Sequence, residues 1–382
     1  MPAVSDCTRV DAFSVAGWNE AAPVWRSLAG KSPHASFFLS NEWADCWVAT
    51  FGKLLKPEFL VFEDNGKPAG ICALVHRTIT CGPIPVRRVY LNLDGEDEAD
   101  ETVLEYNSIL CLPGYEAAAA DALARVLLTR RGWDEFAARR LAPGPVERAL
   151  RQSFAALEIE TNAVPAPFVD LERLRRSGES FESTLGGGTR RQLRQSVREY
   201  SRLGELRLEA ASTLSRAMDF FDELTCLHQK SWIARGQPGA FASARFTAFH
   251  RALIGRTFAA GSVALLRVTA GSRTIGILYC LIRSGVVHYY QSGYTVPDNN
   301  RLSPGLVTLA QSITYCLERR DVARFDFMAG NSRYKQSLST DSGSVVSLIV
   351  RRPTIRRLLV DVLKHARATA RNGRKRVALH AR

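Results

Sequence analysis

Apolar positions change their spacing several times along the chain, and each change marks an element. Residues 19–50 repeat apolar side chains at three- and four-residue intervals and read as helical. From Glu58 to His76 the pattern is a hairpin, with the runs EFLVFE and PAGICALVH on either side of Asp64-Asn65-Gly66-Lys67. Asn-Gly between apolar runs is a strong signal for a tight turn, because both residues tolerate a left-handed backbone. A loop with Pro83 and Pro85 then leads to a strand near Val89–Leu93, a helix from about Glu116 to Thr129 that stops at Gly132, and a strand at Trp133–Ala137. The second half repeats this grammar. Helices at about Leu214–Ala234 and Arg245–Arg256 precede a hairpin (Val263–Val268, the turn Ala270-Gly271-Ser272, Thr274–Ile282). A strand at Val286–Ser292, a helix from Pro304 to Arg319 and a strand at Ala323–Phe327 complete it.

The repeated order predicts two similar α/β modules, over residues 1–165 and 166–350, with a C-terminal segment 351–382 of different character. Pro143, Pro145, Pro165 and Pro167 are expected to interrupt regular structure between the modules. The C-terminal segment holds eleven Arg and Lys against one acid, Asp361, and so supplies +10 of the formal charge of +13. Within it Ile355, Leu358, Leu359, Val362 and Leu363 fall on one side of a helix, flanked by Arg356, Arg357, Lys364, Arg367 and Arg371. A cationic amphipathic helix suits an anionic membrane surface, so this segment is expected to lie there; the alternative is a helix packed on its own domain and followed by a frayed basic tail, and nucleic acid is the least favoured partner. No run of eighteen apolar residues exists to span a bilayer, and the N-terminus lacks the pattern of a secretory signal. The eight cysteines form neither CxxC pairs nor Cys/His clusters, which points to a reducing compartment without disulfides or a bound metal. The expected location is therefore cytoplasmic, peripheral at the inner membrane.

The stretch Tyr294–Leu306 carries the first chemical signal. Ser303 is a candidate N-cap, Pro304 suits the first helical position and Gly305 leaves the backbone uncovered. The free N–H groups of such a turn attract phosphate, and Arg301 just ahead of it can pair with a second oxygen. Leu306, Leu309, Ala310, Ile313 and Leu317 form the apolar stripe of the following helix. Neither GxxxxGK[ST] nor GxGxxG is present, so nucleotide hydrolysis and dinucleotide binding lack their motifs.

Taken together, Arg301-Leu-Ser-Pro-Gly305, Arg324-Phe-Asp-Phe-Met-Ala-Gly330 and Tyr334-Lys335 resemble the CelD/BioF2-like branch of the GNAT acyltransferases, which is related to the Fem-type tandem enzymes. Leu227-His-Gln-Lys-Ser-Trp-Ile-Ala-Arg-Gly236 resembles that family's helix and glycine-marked loop. The resemblance covers roughly residues 180–340, and the first half resembles the degenerate partner module. It implies an α/β fold of two tandem GNAT-like modules, each a mixed central sheet flanked by helices. It also implies an acyl-CoA or acyl-carrier thioester as co-substrate, with no permanently bound cofactor. Arg301, Leu302, Ser303, Gly305 and Leu306 would hold the pyrophosphate, although Pro304 stands where the usual pattern has its first glycine.

Acyl transfer from a thioester to an amine needs a base, a stabilised oxyanion and a proton for the leaving thiolate, and it needs no protein nucleophile. Asp326 alternates with Phe325 and Phe327, so it is expected to face solvent or a ligand cleft and to orient the amine or a histidine. Tyr334 and Lys335 follow a small-residue turn and are expected to line the reaction centre, Lys335 countering Asp326 or holding an acceptor group. His228 and His288 are alternative bases. Tyr290 shares the face of His288, and a tyrosine there can protonate the sulfur. Arg190, Arg194, Arg198 and Arg202 step by four along one helical face and suit headgroups, phosphates or an acyl carrier protein. The expected function is N-acylation of a lipid or cell-envelope amine, with a sphingoid long-chain base as the leading acceptor. The alternatives are an amino-sugar or exopolysaccharide precursor, an aminoacyl-tRNA-dependent transfer of Fem type, and a non-enzymatic scaffold.

Overall fold

The computed structural model describes residues 10–32, 35–297, 299 and 301–363. In the first half, strand β1 (Asp11–Val15) is followed by helices α1 (Trp18–Lys31) and α2 (Asn41–Leu55), hairpin β2 (Glu58–Asp64) and β3 (Lys67–Cys81), and β4 (Ile84–Leu91). A two-residue strand β5 (Leu110–Cys111), α3 (Glu116–Thr129), β6 (Glu135–Leu141) and α4 (Pro145–Ser153) complete it. The long strand β7 (Glu158–Asp170) then opens the second half, with α5 (Leu171–Ser177), α6 (Phe181–Thr184), α7 (Gly187–Ser201) and β8 (Leu206–Ala210). Next come α8 (Leu214–Ile233), α9 (Ala244–Thr257), β9 (Val263–Ala270), β10 (Arg273–Arg283) and β11 (Val286–Tyr294). The chain closes with α10 (Pro304–Glu318), β12 (Arg324–Asp326), α11 (Arg333–Leu338) and β13 (Asp341–Arg351), and residues 355–363 are helical.

Among the described residues all the strands join one mixed sheet, ordered β1-β2-β3-β4-β6-β13-β7-β12-β11-β10-β9-β8, with β5 on β3. The two halves enter it as mirror sequences: edge strand, antiparallel hairpin, third strand, then a parallel neighbour. Those parallel contacts, β4 on β6 and β11 on β12, each span three residue pairs before the strands part. The repeated order read from the sequence is therefore present, in one continuous sheet.

Local chemistry explains the elements. Asn65 and Gly66 both have positive φ, as a two-residue hairpin turn requires. β9 mixes buried and half-exposed positions, with Leu265 and Leu266 both buried, while Ile275–Leu281 in β10 are buried throughout because helices cover both faces of the sheet. On one face α1 and α2 meet α8 and α9 in a shared core, with Trp43 and Phe249 at 4.8 Å. On the other face α3 and α4 cover the first half, and α7 and α10 cover the second. Gly293 lets α8 lie against β11, since a Cβ there would fall 2.4 Å from the carbonyl oxygen of Leu224.

Two expectations about proline are corrected. Pro85 lies within β4, and Pro165 and Pro167 lie inside β7, where Ser344 and Ser342 of β13 oppose them. Their carbonyls accept from Gly330 and Phe327 on the edge away from β13, so their missing N–H groups fall on a loop and not on the β13 ladder. The 165/166 division thus falls within a strand. Among the described residues no helix is long and apolar enough to cross a membrane.

Helix 355–363 docks the opposite way to a simple amphipathic helix. Arg357 is buried and pairs with the buried Glu135 at 2.8 Å and with Asp361 at 2.6 Å, while Arg356 reaches Asp134 at 3.5 Å. Val360 is the apolar side chain buried beside them. Ile355, Leu358, Leu359 and Val362 are left 78%, 64%, 49% and 57% exposed. Lys364, Arg367, Arg371 and the rest of the basic tail lie outside the described residues.

Candidate active site

The parting of β11 from β12 builds the site. The two strands pair only through Val286–Arg324, Val287–Phe325 and His288–Asp326. Beyond that point β11 continues to Tyr294 along β10, while the chain after Asp326 turns away through Phe327–Gly330 toward β7. The wedge between them opens into a cavity of about 670 Å³, a size suited to a small-molecule site. Tyr289, Tyr290, Gln291, Ser292 and Tyr294 line one arm, and Phe327, Met328 and Ala329 the other. A register shift helps to aim the first arm: Tyr279 faces Gln291 and Cys280 faces Tyr289, so Tyr290 is the extra residue of a bulge.

The first turn of α10 forms another part of the wall through Gly305 and Leu306, and α7 contributes Thr189 and Gln192. Pro304 occupies the helix start as the sequence implies. Ser303 differs from expectation, since its hydroxyl accepts from Gln192 Nε2 at 2.8 Å and does not cap the helix. That leaves the first amides of α10 without a side-chain cap, next to the cavity. Arg301 and Leu302 are not on the cavity wall. The Arg301 carbonyl accepts from Ser196 Oγ and its side chain is exposed, while Leu302 packs beside α10 and borders a separate hollow. The first two arginines of the α7 stripe are also engaged locally: Arg190 donates to the carbonyls of Ser183 and Leu185, and Arg194 pairs with Glu182.

His228, Tyr290, Tyr334 and Lys335 all line the cavity. His228 is buried, stacked on Trp232 and edge-on to Phe241, and burial lowers its pKa. The Tyr290 hydroxyl donates to the carbonyl of Thr102 in the first half. Lys335 Nζ donates to the Met328 and Ala329 carbonyls at 3.2 and 2.8 Å, and burial lowers its pKa against the pull of Glu105 and Asp326.

His288 and Asp326 lie beneath the cavity and do not line it. His288 is held between Phe38 and Tyr106, with its Nδ1 unpaired among the described residues and its pKa lowered by burial. Asp326, expected to face solvent or a cleft, is 1% exposed. Its Oδ2 accepts the Tyr106 hydroxyl at 2.8 Å, its Oδ1 accepts the Met328 amide at 2.7 Å, and Arg324 Nε lies 3.4 Å away. The reason is the second layer of the fold: the loop carrying Tyr106 covers the face of β12 that alternation left open.

Tyr289, Ser292 and Glu105 were missed from sequence, and the first two join Tyr294 and Tyr334 in one cluster. The Tyr289 hydroxyl lies 2.7 Å from Ser292 Oγ and 2.9 Å from the Tyr294 hydroxyl, and it also acts on Tyr334. Burial raises the pKa of Tyr289 and Tyr294, and that of Tyr334, 44% exposed as a residue, is raised where its hydroxyl end is desolvated beside Tyr289, so the cluster is a store of neutral hydroxyl donors. Glu105 comes from the first half, is 4% exposed, lines the cavity, and accepts the Ala329 amide at 2.8 Å. Polarity alternation gives no warning of it, because it sits in an irregular stretch with no periodicity.

Residues 187–336 match the family model described as acetyltransferase (GNAT) domain, a span of less than half the chain. Among proteins of curated function none matches significantly. Solved structures with a similar fold include FemX (TM-score 0.55, 9% identity, covering 92% of this chain and 99% of that one). A conserved protein of unknown function from Bacteroides thetaiotaomicron is comparable (TM-score 0.55, 8% identity, 89% and 99% covered). L-PGS from Bacillus licheniformis aligns with TM-score 0.50 at 10% identity over 91% and 96% of the two chains. The parted strands, the helix start at their mouth and these likenesses agree: the chain has a GNAT acyltransferase fold, related broadly to that of FemX.

Proposed function

We propose that this protein is an N-acyltransferase that moves an acyl group from a coenzyme A or acyl-carrier thioester to an amine on a lipid or cell-envelope precursor, with a sphingoid-type long-chain base as the leading acceptor. The observation that carries this reading is the β11/β12 wedge opening into one cavity beside the uncapped start of α10. In that arrangement the thioester arm lies in the wedge, and the amides at Gly305 and Leu306 face its pyrophosphate, favoured by the positive end of the helix. Arg301 supplies long-range attraction from the preceding turn. Trp232, Leu306, Leu309, Phe327 and Leu338 give the cavity an apolar lining that accepts a fatty chain. The FemX-like tandem organisation fits the repeated strand order, with the first half closing the cavity.

The experiment is calorimetric titration with palmitoyl-CoA, followed by mass spectrometry of products formed with sphinganine and with glucosamine. Saturable binding and an amide product with sphinganine are expected. Arg301→Ala should weaken thioester binding by about threefold at low ionic strength and by less in high salt, the worth of a screened charge that attracts without direct contact. Failure to bind any acyl-CoA or acyl carrier would overturn the reading.

A lipid acceptor also accounts for helix 355–363. Its outward Ile355, Leu358, Leu359 and Val362 are a shallow insertion face, and the basic residues that follow supply attraction to anionic headgroups. The full chain should float with phosphatidylglycerol vesicles, less so in high salt. A Leu358→Ser/Leu359→Ser variant, altered only at exposed positions, should float less. Equal flotation of parent and variant would remove the membrane from the proposal.

A further inference from the structure

We propose that Glu105 holds the ammonium group of the acceptor and takes its proton, so that the first half of the chain supplies the base for a reaction whose thioester is bound by the second half. This rests on the acyltransferase reading above and deepens it.

Four observations converge. Glu105 is a buried carboxylate on the cavity wall, and burial raises its pKa, which makes it a stronger base than an exposed glutamate. Its position is fixed: Oε2 accepts the Ala329 amide at 2.8 Å, while the Ala329 carbonyl accepts from Lys335 Nζ at 2.8 Å. One residue, Ala329, therefore sets the carboxylate through its amide and the lysine through its carbonyl, on the β12 arm of the wedge. Oε1 has no hydrogen-bond partner among the described residues. Finally, the backbone is held in unfavourable conformations around this point. Val103 and Tyr106 flank Glu105 with φ of 49° and 51°, and Met328 opposite has φ of 62°. A left-handed conformation is costly for a β-branched residue such as Val103, and it persists only where the surroundings enforce it.

The charged and titratable groups around Glu105 are Tyr106 beside it, Arg140 from β6, Lys335 from α11, Asp326 from β12 and Tyr290 from β11. Burial raises the Glu105 pKa, the Ala329 amide, Arg140 and Lys335 pull it down, and Asp326 adds to the rise. In the reaction the ammonium loses one proton to Glu105, and the free amine nitrogen then attacks the thioester carbonyl. As the C–S bond breaks the sulfur takes a proton from a tyrosine hydroxyl, the second proton of the tetrahedral nitrogen restores that hydroxyl, and Glu105 gives up the first proton to solvent. The products are the amide, the thiol and one proton released to solvent.

The test uses the full chain, with palmitoyl-CoA as donor and dodecylamine as probe. Glu105→Gln should bind palmitoyl-CoA as the parent does and lose at least about 100-fold in kcat/KM, the usual worth of a general base. The loss should shrink as pH rises and free amine becomes available in solution, and Glu105→Asp should recover part of the rate. A purely structural role would give neither the pH rescue nor the Asp rescue. A measurement on the parent protein serves if the variants do not fold. The parent should bind dodecylamine at least about tenfold more tightly than dodecanol, the scale of a charge-assisted contact. Equal affinity for the two, or parent-like kinetics in Glu105→Gln, would overturn the assignment while leaving acyl-CoA binding, and so the function itself, intact. A parent that binds no acyl-CoA or acyl carrier would instead remove the function and this assignment with it.

Discussion

Replacing Tyr334 with phenylalanine should lower turnover by about 100-fold while leaving acyl-CoA affinity and the unfolding midpoint close to those of the parent. The ring stays and keeps its place on the cavity wall, so only the hydroxyl is lost. The residue as a whole is 44% exposed, but desolvation at its hydroxyl end and the neighbouring Tyr289 raise its pKa above the ordinary range. With the pKa raised, the charged form is disfavoured, and the group remains a proton donor throughout the range in which amines are acylated. Tyr289, Ser292 and Tyr294 form a hydroxyl chain behind it, through which a donated proton is replaced. The effect is placed at the low end for acid catalysis because a thiolate is already a fair leaving group. Single-turnover kinetics with pre-bound acyl-CoA would measure it. Turnover equal to the parent's would take Tyr334 out of the chemistry and leave Tyr294, tested in the same way, as the donor.

How much of this was legible in the sequence depended on how local the cause was. The hairpins were readable because Asn65-Gly66 and Gly271-Ser272 encode their own turns. The start of α10 was readable because Pro304 has a preferred place in a helix. The Ser303 cap was not, because Gln192, more than a hundred residues upstream, captured the hydroxyl. His288 and Tyr290 do share a face, as alternation required, and both touch Phe38. What alternation does not encode is that Phe38, from the turn before α2, and Tyr106, from a loop of the first half, bury His288, while the bulge carries Tyr290 to the cavity. The helix after Arg351 had the right period. Its burial is inverted, because the acids that Arg356 and Arg357 find, Asp134 and Glu135, belong to the other half of the chain. Glu105 was the least legible residue of all, since its role arises from a contact between halves and its neighbours have no periodic pattern.

That same contact between halves sets the second large expectation. Asp326→Ala should destabilise the fold by about 3–5 kcal/mol, because a buried charged acceptor is removed from partners that stay behind. The Tyr106 hydroxyl and the Met328 amide would each be left without their acceptor in a buried setting, and Arg324 would lose its nearby carboxylate. The Met328 bond also closes the turn after β12, where the side chain of one residue satisfies the amide two residues on. Without it the left-handed conformation at Met328 loses a tether, and the Ala329 amide drifts from Glu105. Turnover should therefore fall together with stability, through position and not through proton transfer. Urea unfolding monitored by fluorescence would show the midpoint shifting at unchanged slope, the mark of a stability change in an otherwise similar transition. Asp326→Asn, which keeps one acceptor for Met328, should recover most of both losses. If Asp326→Ala instead lost turnover with its midpoint unmoved, Asp326 would belong to the chemistry, and the burial of its carboxylate under Tyr106 would have to open during the reaction.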